Sequence, residues 1–145
     1  MLPLASNRYP AAITQPMREE LTSIGVTELR SAEDVNSAIQ NSRNTLMIFI
    51  NSICGCSAGG ARPALKLALK NNVLPDKLMT VFAGVDHDAV TEVRSYMTDH
   101  PASSPSLALF KNKELVYMMP RHQIEGRSPQ EIADDIIRAF NKYCV

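Results

Sequence analysis

The sequence predicts an α/β fold, with a mixed, largely parallel central sheet covered by helices on both faces and one extra helix at the N-terminus. Three observations lead there. The runs "LMIFI" (46–50) and "MTVFAGV" (79–85) are apolar without interruption, as in strands buried on both faces. Helical periodicities alternate with these runs, which is the order of parallel strands joined by crossover helices. The chain then changes to two strands separated by a short polar turn, and one more helix follows.

Residues 1–16 contain Pro3, Pro10 and Pro16 and read as an irregular N-terminal segment. Pro16 opens a helix in which Met17, Leu21 and Ile24 share one face, and Gly25 ends it. "VTEL" (26–29) is a short strand. Ser31 and Asp34 have capping-box spacing, with Asp as the acid, and Val35, Ala38 and Ile39 follow at helical spacing. "LMIFI" is the second strand. The helix after it turns Leu65, Ala68 and Leu69 inward, with Pro63 near its start or at a kink. "MTVFAGV" is the third strand, and Val90, Val93 and Met97 mark a helix that Pro101 stops. "SLALF" (106–110) and "LVYMM" (115–119) flank "KNKE", a hairpin in which Asn112 takes positive φ. Ser128-Pro129-Gln130-Glu131 starts the last helix with a capping box and a Pro in its first turn. Its buried face is Ile132, Ile136, Ile137 and Phe140.

With 145 residues the chain reads as one domain, 1–145, large enough to bury roughly two-thirds of its unfolded surface without staples. Fifteen basic residues balance fifteen acidic ones and neither sign forms a long run. Nucleic acid and anionic membrane both need a concentrated basic field, so neither is an expected partner. Trp is absent and aromatics are few, which also argues against a stacking platform for bases. The first residues, broken by prolines, do not read as a secretory signal, and no apolar run is long enough to span a membrane. Three cysteines, an odd number, make a poor disulfide scaffold. These features point to the cytoplasm, where paired cysteines are more often redox-active or metal-binding than structural.

The order β-α-β-α-β-α-β-β-α, ending in a hairpin and a helix, is the layout of the thioredoxin fold. Two placements support that layout without reference to cysteine spacing. The thiols follow the second strand at the start of a helix, and Ser104-Pro105 directly precedes the fourth strand, where that fold keeps a cis-proline facing the active-site sulfur. A cis Ser104-Pro105 bond is therefore expected. Pro105 also leaves the first amide of the strand without a donor, so that an incoming backbone can pair there. Ser104 and Pro105 are accordingly substrate-binding candidates.

In "NSICGCSAGGARP" (51–63), Cys54 and Cys56 are separated by a single glycine. A thiol attacks only as its thiolate, and an unperturbed Cys with a pKa of about 8.5 is only about 3% ionised at pH 7. A helix N-terminus sets partial positive charge and free N–H groups beside the sulfur and lowers that pKa. Cys54 is placed for this. Arg62 is a further substrate-binding candidate that adds positive charge beside it if the loop folds back. Cys56 is close enough to attack a mixed disulfide on Cys54 and release the first partner. A disulfide across one residue needs a sharp bend, for which Gly55 supplies freedom, and any strain raises its reduction potential by about 30 mV per 1.4 kcal/mol.

The competing readings are inert buried thiols and a metal site. Zinc wants four ligands at tetrahedral spacing, and neither a second C-x-C nor a nearby His cluster completes such a set, so no metal site is expected. His87 in "VDHD" (85–88) looks metal-like, but a strand ending before a helix gives the same string, with Asp86 or Asp88 as N-cap. His100, before Pro101, is a surface residue. The polar segment "PRHQIEGRSP" (120–129) either anchors its loop or lines a cleft. Cys144, next to the C-terminus, is an exposed tail thiol or, if the tail folds near the site, an additional redox thiol.

Once C-G-C stands on this frame, the sequence resembles the bacilliredoxins. The resemblance is carried by "QPMREELTSIGVTELRSAEDV" (15–35), "NSICGCSAGGARPAL" (51–65), "SPSLALF" (104–110) and "PRHQIEGRSPQEIA" (120–133). It implies a glutaredoxin-like thiol–disulfide oxidoreductase that reduces mixed disulfides between bacillithiol and protein thiols. Cys54 would match the attacking cysteine and Cys56 the resolving one. No tightly bound cofactor is implied; bacillithiol is the thiol co-substrate. The implied partners are S-bacillithiolated client proteins, bacillithiol and a recycling reductase. The alternatives are a metal-binding module or carrier using Cys54 and Cys56, with or without Cys144, and a disulfide isomerase, which needs only a reactive Cys54.

Overall fold

Strand β2 (Thr45–Asn51) is buried along its whole length, and its side chains divide by pleat. Met47 and Phe49 enter one apolar cluster, while Leu46, Ile48 and Ile50 enter another. An uninterrupted apolar run is what two covered faces require. In the computed structural model, which describes residues 9–145, β2 is the centre of a five-stranded sheet in the order β1-β3-β2-β4-β5. β1 (Thr27–Glu28) and β2 flank β3 (Lys77–Phe82) in parallel, and β4 (Ser106–Lys111) runs antiparallel to β2 and to β5 (Glu114–Met119).

One face of the sheet carries α1 (Ala11–Thr22), α3 (Arg62–Ala68) and α5 (Pro129–Tyr143), whose Leu21, Ala64, Leu65, Ile132, Ile136 and Phe140 pack on Met47 and Phe49. The other face carries α2 (Ala32–Gln40) and α4 (His87–Ser95), which contribute Val35, Ile39, Val90 and Val93. The predicted mixed sheet with helices on both faces and an extra N-terminal helix is the observed one. Among the described residues, no helix is long and apolar enough to cross a membrane.

The predicted signals hold at several ends. Ser31 Oγ accepts the Asp34 N–H at the start of α2. Ser128 and Glu131 form the reciprocal capping box of α5. Asn112 and Lys113 both take positive φ, 51° and 72°, in the β4–β5 turn, as its tight reversal requires. Ser104-Pro105 is cis.

Three local expectations are corrected. Residues 11–15, read as irregular, are the first turns of α1, with Pro16 inside the helix; the rest of that segment up to residue 8 lies outside the described residues. A proline removes the bond to the carbonyl four residues back, here exposed Ala12, where water can serve instead. Buried Thr14, Arg18 and Leu21 then hold the helix by packing. The third strand ends at Phe82, because Gly84 at φ 82° turns the chain. Asp86 stands at the N-cap of α4 without a side-chain cap bond, since its carboxylate receives the buried Arg18 guanidinium at 2.8 and 3.2 Å. Arg18 also bonds Glu28 at 2.6 Å and lies 5.1 Å from the centre of the Phe82 ring, so it ties α1 to β1 and to the end of β3.

Candidate active site

The site grows from the carboxyl end of β2, where the apolar run gives way to Asn51 and Ser52. Asn51 Oδ1 accepts three bonds, from Ser52 N–H (2.9 Å), Ser57 Oγ (3.0 Å) and Arg62 Nη1 (3.0 Å). Arg62 Nη1 also reaches the Ser52 carbonyl at 2.7 Å and Ser57 Oγ at 3.1 Å, and its Nε faces Glu20 Oε1 at 3.1 Å. This corrects the expectation for Arg62. The side chain is 2% exposed and turned inward, so its charge braces the turn from beneath and does not meet a substrate at the surface. A buried guanidinium survives only with such partners, and the ends of the turn supply them.

Above this brace, Cys54 stands at the N-terminus of a helical segment that starts at Gly55. The Cys54 N–H donates to Ser52 Oγ at 3.2 Å, and the Cys54 carbonyl accepts the N–H groups of Ser57 and Ala58, each at 3.1 Å. The first turn is wide: Ser57–Ala61 is π-helical, and the Arg62 N–H reaches the Ser57 carbonyl before Pro63 interrupts the donor series at the start of α3. Gly60 is needed here for close approach, since a Cβ would meet Ile132 Cδ1 at 3.3 Å. Gly55 is not at positive φ, and a Cβ there would meet nothing within 4 Å, so the reduced turn makes no demand for glycine at that position.

All three cysteines are free thiols, and Cys54 and Cys56 are half-buried. Partial burial pushes the Cys54 thiol up, but the Ser52 hydroxyl, the Ser57 and Cys56 N–H groups and the Cys56 thiol all bond the sulfur, and the net position is below its ordinary value. Cys56 moves the other way. Its partial burial, the hydrogen bond it gives Cys54 and the charge on Cys54 hold its proton; Glu125 adds to this and Arg121 opposes it. The pair is therefore asymmetric, with the charged form favoured at Cys54 and disfavoured at Cys56.

The loop after β5 closes over this pair, which residue reading alone left undecided. Arg121–Gln123 form one 3₁₀ turn. The Arg121 N–H donates to Ser103 Oγ at 2.7 Å, and its guanidinium lies 3.5 Å from the Ser104 carbonyl and 3.1 Å from Glu125 Oε2. The Cys56 thiol reaches that same Oε2 at 4.0 Å. Arg127 anchors the loop to α5 through Asp135 at 2.6 Å and the Glu131 carbonyl at 3.2 Å, with Gly126 at φ 72° between. Ser104 and Pro105 lie at this end of the sheet, because Ser106 pairs with Ile50. Ser52 and Ser57 are the site residues the sequence reading missed, while Arg121 and Glu125 belong to the loop it left open between anchor and cleft. Their signals were the polar residues ending an apolar strand and an Arg–Glu pair four residues apart.

Cys144 is corrected as well. It is half-buried and its sulfur lies beside Thr45, at the opposite end of β2 from Asn51. The fifteen residues of α5 start near the loop over the pair and run roughly 22 Å to the far edge. Burial pushes the Cys144 thiol up, and neighbouring Asp76 adds to this against Thr45 and Lys111. Among the described residues, no three His, Cys, Asp or Glu side chains gather as a metal site.

The frame is that of known thioredoxins. Mitochondrial thioredoxin 3 of Saccharomyces cerevisiae superposes with a TM-score of 0.53 at 14% identity, over 85% of this chain and 98% of that one. The Malassezia sympodialis thioredoxin gives 0.52 at 13% identity, over 83% and 94%. In sequence, the family described as disulphide isomerase matches residues 9–144. A bacilliredoxin of Geobacillus kaustophilus is 44% identical over 97% of this chain and 98% of its own length. One of Shouchella clausii is 45% identical over 97% of each chain, and one of Symbiobacterium thermophilum 49% identical over 86% of this chain and 89% of its own. With residues 9–144 matched and its thiol pair seated on a thioredoxin-like frame, the chain belongs to the bacilliredoxin family.

Proposed function

We propose that this protein reduces mixed disulfides between bacillithiol and protein thiols through Cys54 and Cys56. The observation that carries the reading is the asymmetry of the pair: the Cys54 sulfur collects donors from Ser52, Ser57 and Cys56, while Cys56 keeps its proton. The Cys54 thiolate attacks the bacillithiol sulfur of the client's mixed disulfide. The client thiolate leaves with the electron pair, and a Cys54–bacillithiol disulfide remains. Cys56, as its thiolate, then attacks the Cys54 sulfur, which expels bacillithiol and closes a Cys54–Cys56 disulfide, its proton passing to solvent. A recycling reductase reopens that bond. Alternatively, a second bacillithiol attacks the bacillithiol sulfur on Cys54 and leaves the pair reduced. Ser104 and Pro105, at the same sheet end, are the positions along which a client backbone would lie.

Mass spectrometry of the protein after incubation with a bacillithiolated client tests the reading. The expected result is loss of bacillithiol from the client, with the thiol appearing on Cys54 or free in solution beside a Cys54–Cys56 disulfide. Failure of the client to lose it would overturn the reading.

The name of the matching family favours a second reading, disulphide isomerase. It uses the same Cys54 attack on a client disulfide, followed by departure to a different client thiol. A scrambled-disulfide client should then regain native pairs with Cys56→Ala but not with Cys54→Ser. A carrier that draws on all three thiols has no support in the geometry, since Cys144 is at the other end of the sheet. Stoichiometric metal held by thiolates after reducing purification would contradict both redox readings.

A further inference from the structure

We propose that Glu125 acts as a brake on the second cysteine: with Arg121 held on the oxygen that faces Cys56 Sγ, its charge opposes the Cys56 thiolate, and it takes the thiol hydrogen once Cys54 has reacted and no longer accepts it. The inference rests on the proposed order of attack, Cys54 then Cys56, and not on the identity of the small thiol. Glu125 Oε2 lies 4.0 Å from Cys56 Sγ and 3.1 Å from Arg121 Nε. One carboxylate oxygen thus faces both the sulfur whose proton must leave and the cation that would favour its loss. The groups acting on the Cys56 charge are Cys54 from its own turn and Arg121 and Glu125 from the loop.

A carboxylate that accepts a thiol hydrogen stabilises the neutral thiol, and its charge opposes a thiolate beside it. Arg121 has the opposite tendency but is paired with Glu125, so the cation is partly spent. The loop is not free to drift from this position. The Arg121 N–H is held by Ser103 Oγ at 2.7 Å, buried Ile124 faces the close approach at Gly60, and Arg127 is tied to Asp135. The restraint on Cys56 is strongest before reaction, when Cys54 carries charge. It falls once Cys54 is in a mixed disulfide, and partial burial and Glu125 are what remain of it. The pair then rests with one nucleophile, and the mixed disulfide on Cys54 persists long enough for an outside thiol to compete with Cys56.

The aromatic disulfide dithiobis(nitrobenzoate) tests this independently of bacillithiol, in a Cys144→Ser background so that only the pair reacts. Cys54 displaces the first coloured thiolate. Cys56 attacks the Cys54 sulfur and displaces the second, so two protein thiols become one disulfide as the reagent is reduced to two thiolates. The quantity read is the rate of the second release divided by that of the first, as a function of pH. In Glu125→Gln, the ratio should rise about threefold to fivefold at neutral pH, the loss of one half-exposed charge near the sulfur, and converge with wild type at high pH. Glu125→Asp, which keeps the charge, should stay nearer wild type. An unchanged ratio would overturn the proposal, and so would a fall, which would make the carboxylate a proton acceptor for Cys56. A wild-type protein that releases only one equivalent would instead overturn the order of attack, and the brake with it.

Discussion

The Ser52 hydroxyl both accepts the Cys54 N–H and supports the Cys54 sulfur, so one side chain acts on both the backbone and the charge of Cys54. Its removal should be felt in the titration of Cys54. The alkylation rate of Cys54 rises with pH as thiolate forms, and in the wild type that rise is centred below the ordinary thiol value because Cys54 is shifted down. Ser52→Ala should move the rise to higher pH and slow alkylation at neutral pH about fivefold, the worth of about 1 kcal/mol in one hydrogen bond. An unmoved profile of alkylation against pH would show that Ser52 is not the cause. At this scale the cysteines were readable because spacing and placement after a strand are local facts. Arg62 was misread because the direction of a side chain depends on partners far along the chain, here Asn51 and Glu20. The contact made by Glu125 was left open for the same reason: it meets Cys56 across 69 residues.

Among the elements, those with their own chemical punctuation were legible: the covered strands, the Ser31 and Ser128 caps, and the β4–β5 turn. That turn places a lysine where glycine fits better, with Lys113 at φ 72°. Lys113→Gly should stabilise the protein by about 1 kcal/mol, seen as a higher midpoint in urea with unchanged slope. Helix α1 was half legible, because Pro16 obscures a start whose evidence is tertiary. Its Arg18 is 3% exposed between Glu28 and Asp86. Arg18→Met should cost about 3 kcal/mol by removing the buried cation shared by two carboxylates, with only exposed Arg30, 3.7 Å from Asp86, left beside them, and chemical denaturation reads the loss. A variant as stable as wild type would show that α1 is held by its apolar contacts alone.

Across the whole molecule, the fold sends chemistry to one end of the sheet. The carboxyl end of β2, the turn before β4 and the loop after β5 meet there, because β4 reverses direction beside β2 and the β4–β5 hairpin returns the chain to the same end. Cys144 is carried to the other end by α5, so Cys144→Ser should transfer bacillithiol from a client at the wild-type rate. A loss of more than about threefold would place the tail in the reaction after all. The alternation of strands and helices made this architecture readable from sequence, but the closing of the loop over the pair was not, since nothing local in "PRHQIEGR" says where its arginine and glutamate point. The division of labour between two thiols one residue apart is tested most directly by a transfer assay on a bacillithiolated client with each thiol removed. Cys54→Ser should leave the client modified, whereas Cys56→Ala should take the bacillithiol and hold it on Cys54 as a stable mixed disulfide visible by intact mass. Full transfer by Cys54→Ser together with none by Cys56→Ala would contradict the assignment.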